Sequence, residues 1–187
     1  MDLTDIPFEL RKNTNLLYML NIEDHFSKFC KIYLLENKSQ KGIVESLKDF
    51  MKESGEPKEI GSDNDREFIN KSIISLLNSK SIKMINGRSY NPHSQGAVER
   101  AHKTIRNLLF CNFLEDIKNF ILENSIKKVT NIYNKTINGV TKYCPNEIFF
   151  SINSKLYEMF IIILLNIIKI HKKIIYYIMK KKMFIDK

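Results

Sequence analysis

The segment from Gly61 to Arg106 constrains this chain more than any other, because it sets acidic and polar groups at fixed distances around short apolar runs. Asp63 ends one such run, and a second runs from Ile82 to Ile85. A polar loop is predicted over Asn91–Gly96, and a helix then opens with Glu99 in its first turns. Thirty-five residues separate Asp63 from Glu99, so two carboxylates are predicted on different elements of one fold.

The first 55 residues predict three strands and a helix. Apolar runs at Met1–Pro7, Leu16–Ile22 and Phe29–Leu35, joined by short polar turns, indicate an antiparallel meander. Ser39 has the character of a helix N-cap, and apolar residues recur after it at helical spacing until Gly55.

Strands and helices then alternate, and the last part is helical. Strands are predicted at Glu59–Ser62 and Ile82–Ile85, with a helix over Phe68–Leu77 between them. Further helices are predicted from Glu99, from about Glu115 to Asn134, and at Asn146–Phe150, ahead of a helical C-terminal extension. This order predicts an α/β fold with a mixed five-stranded sheet flanked by helices.

Charge divides the chain into two regions, a core over residues 1–154 and a tail over 155–187. The net charge is +9, and the tail, with eight lysines and two acids, carries two thirds of it. Its apolar stretch of about 12 residues is shorter than the roughly 20 that span a bilayer. The tail is interpreted either as a degenerate or frame-shifted extension or as a basic amphipathic segment. A basic balance attracts nucleic acid or acidic membrane surfaces.

Cysteine and histidine spacing predicts no metal-thiolate or histidine site. The three cysteines are far apart and form no CxxC pair, so neither a disulfide framework nor a zinc knuckle is expected. The histidines also lack ligand spacing and are interpreted as structural or surface groups: His25, His93, His102 and His171.

Several motif positions together resemble the catalytic core of retroviral and gypsy-type retrotransposon integrases. They are Asp63-Asn64, the Pro-x-Ser-Gln-Gly of residues 92–96, and Val98-Glu99 at the 35-residue spacing. The segment TKYCPNEIFF also resembles the end of such cores, with Ser151 where the family usually has glycine. The resemblance implies a ribonuclease H-like fold for residues 1–154.

The resemblance implies metal-dependent DNA cleavage and strand transfer, with Asp2, Asp63 and Glu99 holding two Mg²⁺ or Mn²⁺ ions. Phosphodiester attack adds negative charge to an anionic group, and two cations about 4 Å apart neutralise it. Asp24 is the alternative first carboxylate, because His25-Phe26-Ser27-Lys28 after it resembles a second-strand motif of gypsy-type cores. On the plainer interpretation the three acids are a terminal, a turn and a helix-surface residue.

The resemblance also implies contacts with DNA. The positions that match family residues near DNA are Tyr90, Asn91, Gln95, Lys103 and Arg106, and the last two alternatively form a solvated basic face. The implied partners are element-end and target DNA and further copies of the chain. No small-molecule cofactor is expected, a membrane partner is not favoured, and the implied site of action is the nucleus, reached through the cytoplasm.

Two departures from the family pattern introduce an alternative function. Asp65 follows Asn64 where the family usually has glycine, and the His/Cys and small DNA-binding domains that flank such cores are not in this sequence, so an N-terminally truncated core is expected. The alternative is a catalytically inactive, domesticated fragment that binds nucleic acid or a protein.

Overall fold

The computed structural model describes residues 1–12, 14–62, 67–86 and 92–152, with backbone alone at 86, 92–99 and 152. The tail predicted at 155–187, with its helical extension and its boundary, lies outside these residues. Within them the strands are β1 (Asp2–Asp5), β2 (Tyr18–Glu23), β3 (Cys30–Leu35), β4 (Glu59–Ser62) and β5 (Lys83–Asn86). The helices are α1 (Gln40–Ser54), α2 (Lys71–Ser79), α3 (Pro92–Glu115), α4 (Leu122–Lys135) and α5 (Pro145–Ile152).

The predicted antiparallel meander is confirmed. β1 pairs with β2 so that Asp2 lies opposite Asn21, and β2 pairs with β3 so that Glu23 lies opposite Cys30. Because cross-strand partners point to the same side of a sheet, this register decides which side chains share a face.

The predicted five strands are present, but they are not confirmed as one continuous sheet. In the described residues the meander forms one three-stranded sheet, and β4 and β5 form a separate parallel pair. The Met1 nitrogen donates to the Gly61 oxygen at 2.6 Å. This bond brings β4 beside the start of β1, but β1 is only four residues long and does not extend along β4 as a paired strand.

Local capping explains where α1 and α2 begin. The Ser39 hydroxyl accepts from the Gly42 backbone N–H, as its N-cap character predicts, and Gly55 ends the helix at a φ of 85° that glycine tolerates. The Asn70 side chain caps α2 through the Ile73 N–H. The second helix therefore starts at Lys71, later than the sequence predicted, with Phe68 buried just ahead of it.

The meander is covered by apolar clusters on both faces. Leu20 and Ile22 join a core made with α1, α2 and α5, while Met19 and Cys30 join a second core beneath α3 and α4. The buried side chains of α3 recur every four residues, at Ala101, Ile105, Leu109 and Phe113, and the last three join this second core.

Two helix starts also differ from the sequence prediction. Residues 92–96 were predicted as loop, but α3 begins at Pro92, where the fixed proline φ suits a first helical position. The next helix was predicted to begin near Glu115, whereas α4 begins at Leu122. The Asp116 carboxylate accepts from the Asn119 backbone and side chain, a local turn that competes with helix in between. No helix among the described residues is long and apolar enough to cross a membrane.

A side-chain clamp fastens α4 to the edge of the meander. The Asn134 side-chain oxygen accepts from the Cys30 backbone N–H at 2.9 Å, and its amide group donates to the Cys30 oxygen at 2.7 Å. Both residues are buried, so the clamp satisfies two strand groups that water does not reach.

We expect Asn134→Ala to destabilise the fold by about 3 kcal/mol, because it leaves a buried donor and a buried acceptor without partners. The free energy of unfolding from urea titration measures the loss. The control is Asn131→Ala, an exposed asparagine on the same helix, which we expect to change stability little. Equal losses in the two variants would contradict the role of the clamp.

Candidate functional site

Polar side chains interrupt the apolar face of the meander that α3 and α4 cover. Asp2, Asn21 and Glu23 share this face, because Asp2 lies opposite Asn21 and strand residues two apart point the same way. The Asn21 side-chain oxygen accepts from the buried Cys30 thiol at 2.8 Å. Acidic groups are therefore held at the end of the sheet where α3 passes.

Asp2 is anchored to α3 by a histidine. The His102 Nδ1 lies 2.9 Å from Asp2 Oδ2, and the two side chains are 14% and 25% exposed. Burial by itself raises the pKa of the Asp2 carboxyl, but the hydrogen bond and charge of His102, with smaller help from the chain's amino group, lower it overall. Asp2 is therefore a stable carboxylate at neutral pH, partly open to solvent, with an oxygen donor of the kind Mg²⁺ prefers.

Glu23 lies deeper on the same face. Its side chain is 2% exposed, and its nearest cation, the Lys28 ammonium, is 4.0 Å away. Burial raises the pKa of Glu23, and the charges of Lys28, the amino terminus and His102 offset only part of this. Within the described residues its Oε2 has no hydrogen-bond partner. Glu23 is therefore a carboxyl group whose ionisation the fold opposes.

Asp24, the alternative first carboxylate, closes the turn between β2 and β3. Its Oδ2 accepts from the Ser27 backbone N–H at 2.7 Å and from the Ser27 hydroxyl at 2.6 Å. Its backbone exchanges hydrogen bonds with Phe29 and Lys28. The Asp24 carboxylate is thus engaged in shaping a hairpin.

The chain segments that carry the other two predicted carboxylates converge on Asp2. Asp63 lies outside the described residues, but it directly follows Ser62, the last residue of β4, and the Met1–Gly61 hydrogen bond sets β4 beside β1. Glu99 lies within α3, one turn before His102, with its side chain outside the described part. Among the described side chains no group of three acidic, histidine or cysteine residues could hold a metal ion.

The structure describes the predicted DNA-binding positions only in part. Tyr90 and Asn91 lie outside the described residues, and Gln95 is described only as backbone within α3. Lys103 and Arg106 are exposed on α3, on the side away from its buried stripe. Two basic side chains are therefore exposed to solvent on the helix that contacts Asp2.

Sequence reasoning missed His102 and Glu23 as parts of the site. His102 was interpreted as a structural or surface group, but it contacts a predicted metal ligand. The signal that would have found it is its position three residues after Glu99, because residues at that spacing share a helix face. No sequence signal marks Glu23, since an acid at a strand end is usually exposed.

Comparison with known proteins identifies the family. Residues 1–92 match the family model described as the integrase core domain. The chain is 26% identical over 136 residues to the retrovirus-related Pol polyprotein from transposon opus of Drosophila melanogaster, and 28% identical over 137 residues to that from transposon gypsy of the same fly. The matched residues 1–92 therefore belong to the integrase core family. Members of this family serve DNA integration through polynucleotidyl transfer and depend on divalent metals.

The integrase core matches only a part of these relatives. Both alignments cover 73% of this chain but only 14% of the opus and 13% of the gypsy polyprotein. The magnesium complex of the HTLV-2 integrase catalytic core domain, in its trimeric form, superposes with a TM-score of 0.67 at 21% identity, over 79% of this chain and 92% of that one. This likeness establishes the mixed α/β, ribonuclease H-like fold.

We expect Glu23→Gln to stabilise the integrase core at neutral pH. Because folding raises the Glu23 pKa above its ordinary 4.5, the native state holds this proton more tightly than the unfolded chain does. Ionisation therefore costs stability as pH rises above the ordinary value. The glutamine variant should melt higher than the unsubstituted chain at pH 7 to 8, and the difference should shrink toward pH 4.

The melting temperature over this pH range is the measurement. The matched control is Glu45→Gln, an exposed carboxylate on α1, which should show no such pH-dependent gain. A glutamine variant of Glu23 that melts lower than the unsubstituted chain at pH 8 would mean that the Lys28 contact outweighs burial.

Proposed function

We propose that this integrase core catalyses metal-dependent polynucleotidyl transfer: processing of an element's DNA 3′ end, then transfer of that end into target DNA. The observation that carries the proposal is the contact between Asp2 on β1 and His102, one turn beyond Glu99 on α3. With the Met1–Gly61 bond beside Asp63, it draws three segments bearing acids toward one place.

In this proposal Asp2, Asp63 and Glu99 hold two Mg²⁺ or Mn²⁺ ions. The anionic state of Asp2 fits such a cation, because its pKa is lowered even though the side chain is partly buried. When bound, the ions would neutralise charge at the phosphate and activate the attacking oxygen. The chain's own part would be to supply three carboxylates: from β1, from the residue after β4, and from α3.

Asp2 is preferred to Asp24 as the first ligand. The Asp24 Oδ2 already accepts two short hydrogen bonds from Ser27, whereas Asp2 faces α3 and stays 25% exposed. A ligand must keep a lone pair directed at solvent or substrate. The contacts of Asp24 support a structural role in the hairpin.

DNA would lie along the exposed side of α3. Lys103 and Arg106 are one turn apart there and would contact phosphates, while Tyr90, Asn91 and Gln95 would approach the DNA end. Phosphate contacts position a protein on DNA without reading its sequence. We further propose that several copies of the chain act together, in line with the trimeric form of the HTLV-2 catalytic core.

We expect Asp2→Asn and Glu99→Gln each to abolish strand transfer of a labelled DNA end into plasmid in Mn²⁺ or Mg²⁺. Each change keeps the side-chain shape and removes a charge that would bind metal. Asp24→Asn is the matched control: it should retain transfer, because its amide oxygen can still accept from Ser27.

Loss of transfer in the Asp24 variant with retention in the Asp2 variant would reverse the assignment of the first ligand. If no form transfers DNA although the folded chain binds it, catalysis is excluded, and the alternative of an inactive nucleic-acid-binding core takes its place.

We expect the double variant Lys103→Gln, Arg106→Gln to bind duplex DNA more weakly at all sequences. Each lost phosphate contact reduces the slope of log affinity against log salt by about 1, so the slope should fall by about 2. Fluorescence anisotropy across a salt series measures it. Lys127→Gln, an exposed lysine on α4, is the control, and an equal slope change there would mean general attraction only.

A further inference from the structure

His102 is a partly buried polar ring at the point where α3 crosses β1. Its side chain is 14% exposed, and its Nδ1 bonds to Asp2 Oδ2 at 2.9 Å. Its Nε2 is buried and has no hydrogen-bond partner within the described part of the chain. A buried polar group without a partner costs free energy, so an apolar side chain of similar size would suit packing alone better.

The neighbours of His102 on its own helix also separate its role from packing. Ala101 is buried, and Ile105 joins the second core. His102 points instead to the polar end of the sheet, where Asp2 and Glu23 are. It is therefore placed to act on a carboxylate rather than to fill the core.

The hydrogen bond restricts Asp2 in a way the strand alone does not. A strand backbone fixes where an aspartate begins, but the carboxylate still rotates about two side-chain bonds. The hydrogen bond from His102 on α3, together with a backbone hydrogen bond from Leu3, restricts the rotation of the carboxylate. The Asp2 side chain stays 25% exposed, so part of the carboxylate is open to other partners.

We propose that His102 is the positioning residue for Asp2: its Nδ1–H holds the carboxylate in the orientation that binds the divalent cation. This inference rests on the proposed metal-dependent function. The histidine itself touches neither metal nor DNA in this arrangement. It also couples the metal site to the seating of α3, since the same helix carries Glu99.

The test compares three substitutions in the full chain. His102→Asn keeps an N–H donor the same number of bonds from the backbone as Nδ1, His102→Leu keeps the reach without a donor, and His102→Gln moves the donor one bond farther. Calorimetry with Mn²⁺, without DNA, gives the dissociation constant, and melting temperatures without metal report folding.

Removing the donor should weaken Mn²⁺ binding by about 10- to 100-fold, the usual effect of losing a group that orients a metal ligand. The leucine and glutamine variants should show this loss, and the asparagine variant should bind close to the unsubstituted chain. In strand-transfer assays, the leucine and glutamine variants should need more Mn²⁺ to reach half-maximal rate, and the asparagine variant should need about as much as the unsubstituted chain.

Each other outcome overturns the inference. If the His102→Leu variant binds Mn²⁺ as tightly as the unsubstituted chain, the contact between His102 and Asp2 contributes only packing. If the His102→Asn and His102→Leu variants lose Mn²⁺ affinity equally, the ring of His102 matters rather than its N–H group. If His102→Leu does not fold, the same comparison is made between His102→Asn and His102→Gln. If the unsubstituted chain itself binds no Mn²⁺, the metal-dependent function fails and this inference fails with it.

Discussion

The burial of strand β2 on both faces is the constraint on which the rest of the structure depends. Met19, Leu20, Asn21 and Ile22 are successive and all buried, so helices must cover both sides of the meander. The α1 layer takes one face and the α3–α4 layer takes the other. Because α3 has to cross the meander to close the second core, it passes the start of β1, where His102 contacts Asp2.

That crossing explains how a site can be built from distant parts of the chain. Asp2 and His102 are one hundred residues apart in sequence and touch because one is at the start of a strand and the other is on the covering helix. Below the crossing the interface is apolar, at Ile105 and Leu109. At the crossing itself the contact is polar, between Asp2 and His102. The same helix therefore contributes both to the core and to the candidate site.

Local signals predicted most of the fold, and long-range contacts account for what they missed. Ser39 and Gly55 marked the limits of α1 because caps are local chemistry, and the meander followed from three apolar runs. The start of α4 was wrong because the turn at Asp116 competes with helix, which apolar spacing does not report. The strands form two separate sheets because of how β1 meets β4, and the spacing of apolar residues along the sequence does not report that contact.

The candidate site was predicted only as far as motif spacing carries information. Asp63 and Glu99 were predicted from their 35-residue spacing and the flanking motifs. Asp2 was predicted from a short match to the family pattern on a predicted strand. His102 and Glu23 required tertiary contacts, because neither histidine on a helix nor glutamate at a strand end has a distinctive local pattern. The buried position of Glu23 is decided by the strand register and by α3 and α4 above it.

The Asn134 clamp also makes Cys30 a natural reporter of α4 docking. The thiol is fully buried, bonded to Asn21, and its pKa is raised well above the ordinary thiol value, first by burial and then by the charge of Glu23. A thiolate is the reactive form, so Cys30 is chemically silent while the helix is seated. Cys111 is exposed on α3 and provides an internal reference for alkylation. The rate at which Cys30 becomes alkylated would therefore measure how often α4 separates from the sheet, and no probe would have to be introduced.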